Sequence, residues 1–128
     1  MKKKNLTAAA VVFIFFAGYY VISNIFSGHS RINVSEVQSI TINSLSFEAD
    51  NNLEEISEFI RIYNSAKVIR KDYDTTPSYL IEIKLKNGKR IGIRGTTQDF
   101  HYVNDGEKSY KISSAGMTFY LKNLMEQE

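Results

Sequence analysis

The chain has 128 residues, of which 43% are hydrophobic and 23% are charged; this fits one folded domain with an appendage and excludes a disordered polymer or a second full domain. It contains no cysteine, which excludes disulfide scaffolds, thiolate catalysis and cysteine-ligated metal centres. The net charge of +2 is due to Lys2, Lys3 and Lys4, so no nucleic-acid partner is expected, since such proteins place their basic excess in the folded domain.

The first 26 residues predict a membrane anchor. Residues 1–5 form a basic tail, and residues 6–26 carry no charged side chain. As a helix, residues 6–26 would reach about 31 Å, which matches the hydrocarbon core of a bilayer. The lysines before this segment and Arg31 after it favour a cytoplasmic N-terminus, with the rest of the chain outside the cell. We therefore expect a single-pass transmembrane signal-anchor helix that contacts the lipid bilayer through residues 6–26.

Cleavage of this segment by a signal peptidase is the alternative, and it would make the protein secreted. Ile25 or Phe26 would then stand three residues before the cut, where a small residue is preferred. The uncleaved anchor is therefore favoured over secretion.

A tether and one domain are expected to follow. Residues 27–36 are small and polar, which is typical of a short tether, and the domain comprises residues 37–128. A domain of about 90 residues can bury one modest core. Alternating β-branched residues predict a strand over residues 37–43, which residues 45–49 continue after a bend at Ser44.

A helix is predicted over residues 52–66. Asn52 and Glu55 form a weak capping box at its start. The apolar residues that recur at helical spacing are Leu53, Ile56, Phe59, Ile60 and Tyr63. Val68 and Ile69 then predict a short strand.

The clearest local pattern predicts a hairpin around Gly88. Aliphatic residues alternate with charged residues on both sides of it. A three-residue loop over residues 86–88 pairs Ile83 with Ile91 on one face, whereas a two-residue loop would set Lys84 opposite Ile91 and mix the faces. The three-residue loop is therefore favoured, and it places Gly88 in the left-handed position of a G1 bulge.

The end of the chain predicts a second hairpin and a second helix. Residues 100–103 and 108–112 flank a turn, and Ser113 or Ser114 can cap the helix. The apolar stripe of this helix consists of Met117, Tyr120, Leu121 and Leu124. The element order predicts an α+β fold class, with an N-terminal transmembrane helix followed by a small antiparallel sheet on which two helices pack.

The sequence offers little for catalysis. Asp72 and Asp74 match the Asp-x-Asp-x-Thr pattern of haloacid-dehalogenase-type phosphatases, but basic residues precede them where those enzymes need a buried apolar strand. A polar turn is therefore favoured. His29 and His101 have no carboxylate or histidine at a ligand spacing, and ordinary surface or sheet positions are expected for both. We predict no catalytic residue, no cofactor and no metal site.

Five cations on the first hairpin form the one candidate binding face: Lys84, Lys86, Lys89, Arg90 and Arg94. In the favoured register Lys84 faces Arg90 on the outer side of the sheet, and directly opposed like charges are mildly destabilising unless they are solvated or paired with an anion. A solvated strand face that protects an edge is the favoured interpretation. The alternative is a contact with lipid headgroups, an anionic envelope polymer or the acidic helix of a partner protein.

Aromatic residues crowd the second half of the chain. They are Tyr73, Tyr79, Phe100, Tyr102, Tyr110, Phe119 and Tyr120. Packing in the core and across strands is the favoured explanation. The alternative is an exposed patch that binds a peptide or a protein.

The layout of the chain resembles that of small signal-anchored extracytoplasmic proteins of Gram-positive bacteria, which are mostly uncharacterised. The features in common are the Lys-Lys-Lys start, the single apolar segment and the cysteine-free α+β domain. This resemblance implies an accessory or binding module rather than an enzyme, with a protein, a peptide or an envelope polymer as its ligand. Two other functions stay open: an immunity-type protein that intercepts a membrane-active peptide, and a small secreted or anchored hydrolase.

Overall fold

A seven-stranded antiparallel sheet and two helices make up the fold. The computed structural model describes residues 29–70 and 75–126. The strands are β1 (Val37–Ile42), β2 (Leu45–Glu48), β3 (Lys67–Ile69), β4 (Tyr79–Leu85), β5 (Arg90–Gly95), β6 (Phe100–Asn104) and β7 (Ser109–Ser113). The helices are α1 (Leu53–Ser65) and α2 (Ala115–Glu126), and a 3-10 turn covers Val34–Glu36. The strand order is β2-β1-β4-β5-β6-β7-β3, and every neighbouring pair is antiparallel.

One face of the sheet and both helices share a single core. Strand residues alternate between buried and solvent-facing positions, as a half-buried sheet requires. The fully buried aliphatic residues of the central strands include Ile40, Ile83, Ile91, Ile93 and Ile112. Helix α1 contributes Ile56, Phe59, Ile60 and Tyr63, and α2 contributes Met117 and Leu121. Each of these side chains stabilises the fold by about 1.5–3 kcal/mol through burial.

The register predicted for the first hairpin is confirmed. Ile83 lies opposite Ile91, and the loop covers three residues between Leu85 and Lys89. Gly88 has a φ of +90°, which is the left-handed conformation that the G1 bulge requires. Side-chain alternation therefore determined both the pairing and the turn.

The two predicted helices are present, but only one predicted cap is. Helix α1 begins and ends within one residue of the predicted bounds. Its Asn52 makes no capping hydrogen bond; the side-chain Oδ1 instead accepts from the main-chain N–H of Glu48 at 3.3 Å. At α2 the Ser114 Oγ accepts from the N–H of Met117 at 3.0 Å, as a cap does.

The first strand does not continue past Ser44 but turns back. Ile42 of β1 lies opposite Leu45 of β2, so the two strands form a tight hairpin. Asn43 takes a φ of 52°, a conformation that asparagine tolerates better than most residues. Its side-chain oxygen also accepts from the N–H of Leu80 at 2.9 Å, which ties this turn to β4.

Residues 29–36 differ from the expected tether because they pack against the domain. Ile32 is only 5% exposed, and the side-chain amide of Asn64 bonds both its N–H, at 2.9 Å, and its carbonyl, at 2.7 Å. His29 is 7% exposed. The burial of Ile32 and the two bonds from Asn64 on α1 therefore help to hold this segment against the domain.

The predicted fold class needs one correction. The domain is α+β with an antiparallel sheet and two helices, as expected, and the sheet has seven strands. The predicted membrane-spanning helix over residues 6–26 lies outside the described residues. Among residues 29–70 and 75–126, no helix is long and apolar enough to cross a membrane. The described fold therefore contains no membrane-spanning helix.

Candidate functional site

The sheet has an outer face, which points away from the core that it shares with the helices. Its residues form three rows in which each residue lies opposite the next on the adjacent strand. The first row contains Leu80, Arg94, Tyr102, Lys111 and Ile69. The second row contains Thr41, Glu82, Gly92, Asn104 and Ser109. The third row contains Ser39, Lys84 and Arg90.

These rows create a groove, because large side chains stand on both sides of small ones. The cavity over the outer face has a volume of about 950 Å³. Its lining includes Arg90 on one side, Arg94, Tyr102 and Lys111 on the other, and Gly92 between them. A Cβ added at Gly92 would meet only the carbonyl oxygen of Asn104, at 4.0 Å, so the lack of a side chain there keeps the groove open.

The structure separates the five cations singled out in the sequence. Arg90 and Arg94 line the groove, and Lys84 lies opposite Arg90 as predicted. Lys86 and Lys89 are exposed at the hairpin loop and do not line it. The predicted face is therefore two groups of cations, of which only the arginines reach into the cavity.

Lys111 is the groove cation that the sequence analysis missed. It comes from β7, in a different hairpin, and lies opposite Tyr102. The alternation of Tyr110, Lys111 and Ile112 places Lys111 on the outer face. The sequence could therefore have predicted the face of Lys111. To place Lys111 near Arg94, one must also know that β7 lies two strands away from β5 in the sheet. The local sequence does not contain this information.

The described residues of the groove carry an excess of positive charge. The only carboxylate among the outer-face rows is that of Glu82, whose Oε1 lies 3.4 Å from an Arg90 guanidinium nitrogen. This ion pair supplies the anionic neighbour that relieves the opposed charges of Lys84 and Arg90. Within the described residues Arg94 takes part in no ion pair. Among the described residues, the outer-face rows thus carry more positive than negative charge.

Tyr102 stands between the two cations of the first row. Its hydroxyl accepts from the main-chain N–H of Thr75 at 3.4 Å, and its ring meets the ring of Phe100 edge to face at 5.9 Å between centroids. Phe100 is only 7% exposed, in agreement with the packing explanation for the aromatic residues. Phe119 on α2 is 68% exposed and contributes nothing to the groove.

His101 is buried on β6 and cannot act as a base toward its neighbours. Its Nδ1 accepts from the main-chain N–H of Thr96 at 3.1 Å, so the neutral ring carries its proton on Nε2. That nitrogen donates to the Thr118 hydroxyl at 2.9 Å, and the hydroxyl donates to the carbonyl of Gln98 at 2.6 Å. Burial lowers the pKa of His101, which keeps the ring neutral. These bonds fasten α2 to the sheet.

The other candidates for chemistry are placed as follows. Asp72 and Asp74 lie outside the described residues. His29 is buried beside Tyr63 and Tyr110. It does not line the groove, although its neighbour Tyr110 does. Among the residues that the structure describes, no three histidine or acidic side chains come together to hold a metal ion. The groove therefore remains the candidate binding site in the described part of the chain.

Comparison with protein-family models, with curated proteins and with solved structures finds no match for this chain. The likeness to signal-anchored proteins of Gram-positive bacteria thus stays a prediction from the layout. The function of the groove has to be argued from its own residues.

Proposed function

We propose that this protein is a binding module whose groove holds an anionic ligand. The observation that carries the proposal is the convergence of Arg90, Arg94 and Lys111, from two different hairpins, on one cavity of about 950 Å³. Guanidinium groups bind phosphate and carboxylate oxygens through two parallel hydrogen bonds, and lysine adds a point charge. If these cations only kept a strand face solvated, no groove would be needed and the cations would not have to come from two hairpins.

Binding fits these residues better than catalysis does. The cations of the groove are arginine and lysine, which bind anionic groups through charge and hydrogen bonds. Glu82 is half exposed and paired with Arg90, so it is placed to balance charge rather than to act as an acid or a base. The groove therefore supports a module that captures a ligand without changing it.

The location of this module is a second part of the proposal. On the evidence of the sequence alone, residues 6–26 hold the protein at the cell membrane with its domain outside the cell. An anionic polymer of the cell envelope is then the ligand class that such a domain would meet. An accessory role in the envelope follows from the position and the charge of the groove together.

Ligand capture can be tested with the full-length protein in a non-ionic detergent. We would measure binding of long-chain polyphosphate, with neutral dextran as the uncharged comparison, by isothermal titration calorimetry at two salt concentrations. Arg94→Glu should reduce the affinity for polyphosphate by at least about tenfold, and higher salt should weaken binding of the unmodified protein. Gly92→Leu should have a similar effect, because it fills the groove without a change of charge.

Lys122→Glu is the matched control, since Lys122 is exposed on α2 and makes the same change of charge away from the groove. Circular dichroism checks that each variant is folded. Equal affinity in the Arg94→Glu and Lys122→Glu variants would disprove the groove as the site, and so would equal binding of dextran and polyphosphate.

The location has its own test on intact cells that express the protein with a C-terminal tag. Protease added outside should remove the tag from a membrane-bound, full-length species. A tag that is protected while membrane-bound would place the domain in the cytoplasm, and a shorter, released product would show secretion. Either result would overturn the proposed location and leave ligand binding to be judged separately.

A further inference from the structure

A buried histidine holds the start of the described chain on the domain. The imidazole of His29 is bonded at Nε2 to the main-chain carbonyl of Tyr63 and at Nδ1 to the hydroxyl of Tyr110. The next residue, Ser30, is bonded through its N–H to the same hydroxyl and through its side chain to Asp105. Helix α1, strand β7 and the loop that follows β6 therefore meet at His29 and its neighbour.

We propose that protonation of His29 releases residues 29–32, here called the docked segment, from the domain while the sheet and both helices stay folded. This inference goes beyond ligand capture, and it does not depend on which ligand the groove binds. Release moves the point of attachment from His29 to Asn33, which adds up to about 14 Å of extended chain between the domain and the residues before it. The domain therefore reaches farther from those residues at low pH than at neutral pH.

The hydrogen bonds around His29 fit a neutral ring and not a protonated one. A carbonyl can only accept, so the neutral ring carries its proton on Nε2, and Nδ1 accepts the proton of the Tyr110 hydroxyl. The Tyr110 oxygen then accepts from the N–H of Ser30 and, at 3.4 Å, from the hydroxyl of Tyr63. A second proton on the ring makes Nδ1 a donor as well, so three donors face two lone pairs of one oxygen. One of these bonds has to break or reverse.

The surroundings of His29 also oppose a positive charge. Burial lowers its pKa most, and repulsion from Lys108 lowers it further, against the opposite effect of the bond to the Tyr63 carbonyl. Arg70, which follows β3, lines a cavity together with Lys108. The carboxylate of Asp105 already accepts from the neighbouring serine hydroxyl and from two main-chain N–H groups of its own loop. An imidazolium that leaves this site gains water and moves away from Lys108.

Release can stay local because the groups that hold the docked segment keep other partners. The Tyr63 carbonyl also accepts from the N–H of Ala66 at 3.2 Å, and the hydroxyls of Tyr63 and Tyr110 remain neighbours. Asp105 retains the two bonds within its loop. None of the seven strands and neither of the two helices includes residues 29–32, and Ile32 is the apolar side chain that the segment contributes to the core. Departure of the segment therefore leaves the ladder of the sheet intact.

Amide hydrogen exchange of the full-length protein in a non-ionic detergent tests this release. Rates are measured between pH 8 and pH 5, and each rate is divided by the intrinsic rate at the same pH. The amides of Ser30 and Ile32 report on the docked segment, because they donate to Tyr110 and to Asn64. Their protection should fall by up to about tenfold for each pH unit below 6.5, since one proton is taken up on release. Amides of β4 and β5 should stay at least about tenfold better protected at every pH, because they exchange only when the sheet opens.

His29→Gln should abolish the pH dependence at the docked segment, because glutamine can donate to Tyr63 and accept from Tyr110 but does not titrate in this range. His101→Gln is the matched control, since His101 is a second buried histidine whose pKa burial lowers, at a different place in the domain. The control should keep the fall in protection at Ser30 and Ile32. A fall of equal size in both variants would show that His29 does not govern release.

Lys108→Gln keeps the inference testable if the glutamine at position 29 fails to dock at any pH. Without the repulsion from Lys108 the docked ring takes up a proton more easily, so less protection should be lost between pH 8 and pH 5 than in the unmodified protein. Lys122→Gln removes the same charge from an exposed position on α2 and should leave the loss unchanged. Equal losses in the two lysine variants would overturn the proposal.

Two results on the unmodified protein would also overturn it. Protection of the Ser30 and Ile32 amides that does not change with pH would show that protonation does not release the segment. Protection as high as that of β4 and β5 at every pH would show that the segment leaves only when the whole domain unfolds. Neither result bears on the groove, so the proposed function would be judged separately.

Discussion

The imidazole of His29 donates from Nε2 to the main-chain carbonyl of Tyr63, 34 residues later in the chain, at 2.7 Å. Its Nδ1 accepts from the hydroxyl of Tyr110 at 2.9 Å, and the same hydroxyl oxygen accepts from the N–H of Ser30. The side chain of Ser30 in turn donates to the carboxylate of Asp105. A neutral ring thus connects the start of the domain, the end of α1 and the second hairpin.

The stability of the protein should fall as the pH drops below the ordinary histidine pKa. Burial is the main cause that lowers the pKa of His29 from 6.5, and Lys108 contributes by repulsion. The unfolded chain therefore binds the proton first, so the stabilisation is complete above pH 6.5 and is lost as the pH falls toward the lower folded value. Each such group contributes a slope of at most about 1.4 kcal/mol per pH unit.

Urea denaturation at a series of pH values measures this slope. His29→Gln should make it shallower, because glutamine does not titrate and can still donate to Tyr63. His101→Gln is the comparison, since burial lowers its pKa in the same direction at an independent place. An unchanged slope in the His29→Gln variant would show that His29 does not titrate differently in the folded and unfolded protein.

Gly88→Ala should destabilise the protein by about 1 kcal/mol. The cost is conformational, because Gly88 has a φ of +90° and an added Cβ would meet nothing within 4 Å. Chemical denaturation gives the change in free energy of unfolding. Gly92→Ala is the control, because its φ is ordinary and its Cβ has room. Equal effects of the two substitutions would contradict a cost that arises from the left-handed backbone.

Gly95→Ala should cost about 1–3 kcal/mol for a different reason. A Cβ at Gly95 would lie 2.9 Å from Cδ1 of the buried Leu121 and 3.2 Å from Cβ of Tyr79, so the Leu121 side chain would have to shift within the packed core. A double-mutant cycle with Leu121→Ala isolates this clash. The alanine at position 95 should cost less when Leu121 is already shortened, and strict additivity would argue against the clash.

Glu82→Gln should raise the affinity of the groove for long-chain polyphosphate severalfold while the stability changes by less than about 1 kcal/mol. The carboxylate lies 3.4 Å from Arg90 in an ion pair whose side chains are 50% and 61% exposed, and exposed pairs contribute little to stability. Its removal leaves Arg90 available to the ligand. Calorimetric titration measures the affinity.

The comparison for this prediction is Glu58→Gln, which breaks the exposed pair with Arg61 on α1 in the same way. It should change neither affinity nor stability appreciably. A gain in affinity of similar size in both variants would mean that overall charge, rather than the groove, governs binding.

Local alternation predicted most of the fold. Ile83 and Ile91 had to share a face, and this requirement alone determined the loop and placed Lys84 opposite Arg90. The α1 bounds followed from helical spacing in the same way. Alternation acts over neighbouring residues, so it says which face a side chain occupies but not which strands are adjacent.

The groove depends on which strands are adjacent in the sheet. Arg94 and Lys111 belong to one row only because β6 lies between β5 and β7. The sequence analysis therefore found the arginines as part of one crowded hairpin and did not connect them to Lys111. The docking of His29 and Ile32 was missed for a related reason, since Asn64 and Tyr63, which hold them, are more than thirty residues away.

The docked start of the domain limits how far it can travel. His29 is bonded to the folded domain, and the three residue steps between it and position 26 can span at most about 10 Å. If residues 6–26 are held in a bilayer as proposed, the distance from the membrane at which the groove can bind a ligand is set by the size of the domain itself. Under that proposal the groove would reach only the layer next to the membrane, and its ligand would have to come to it.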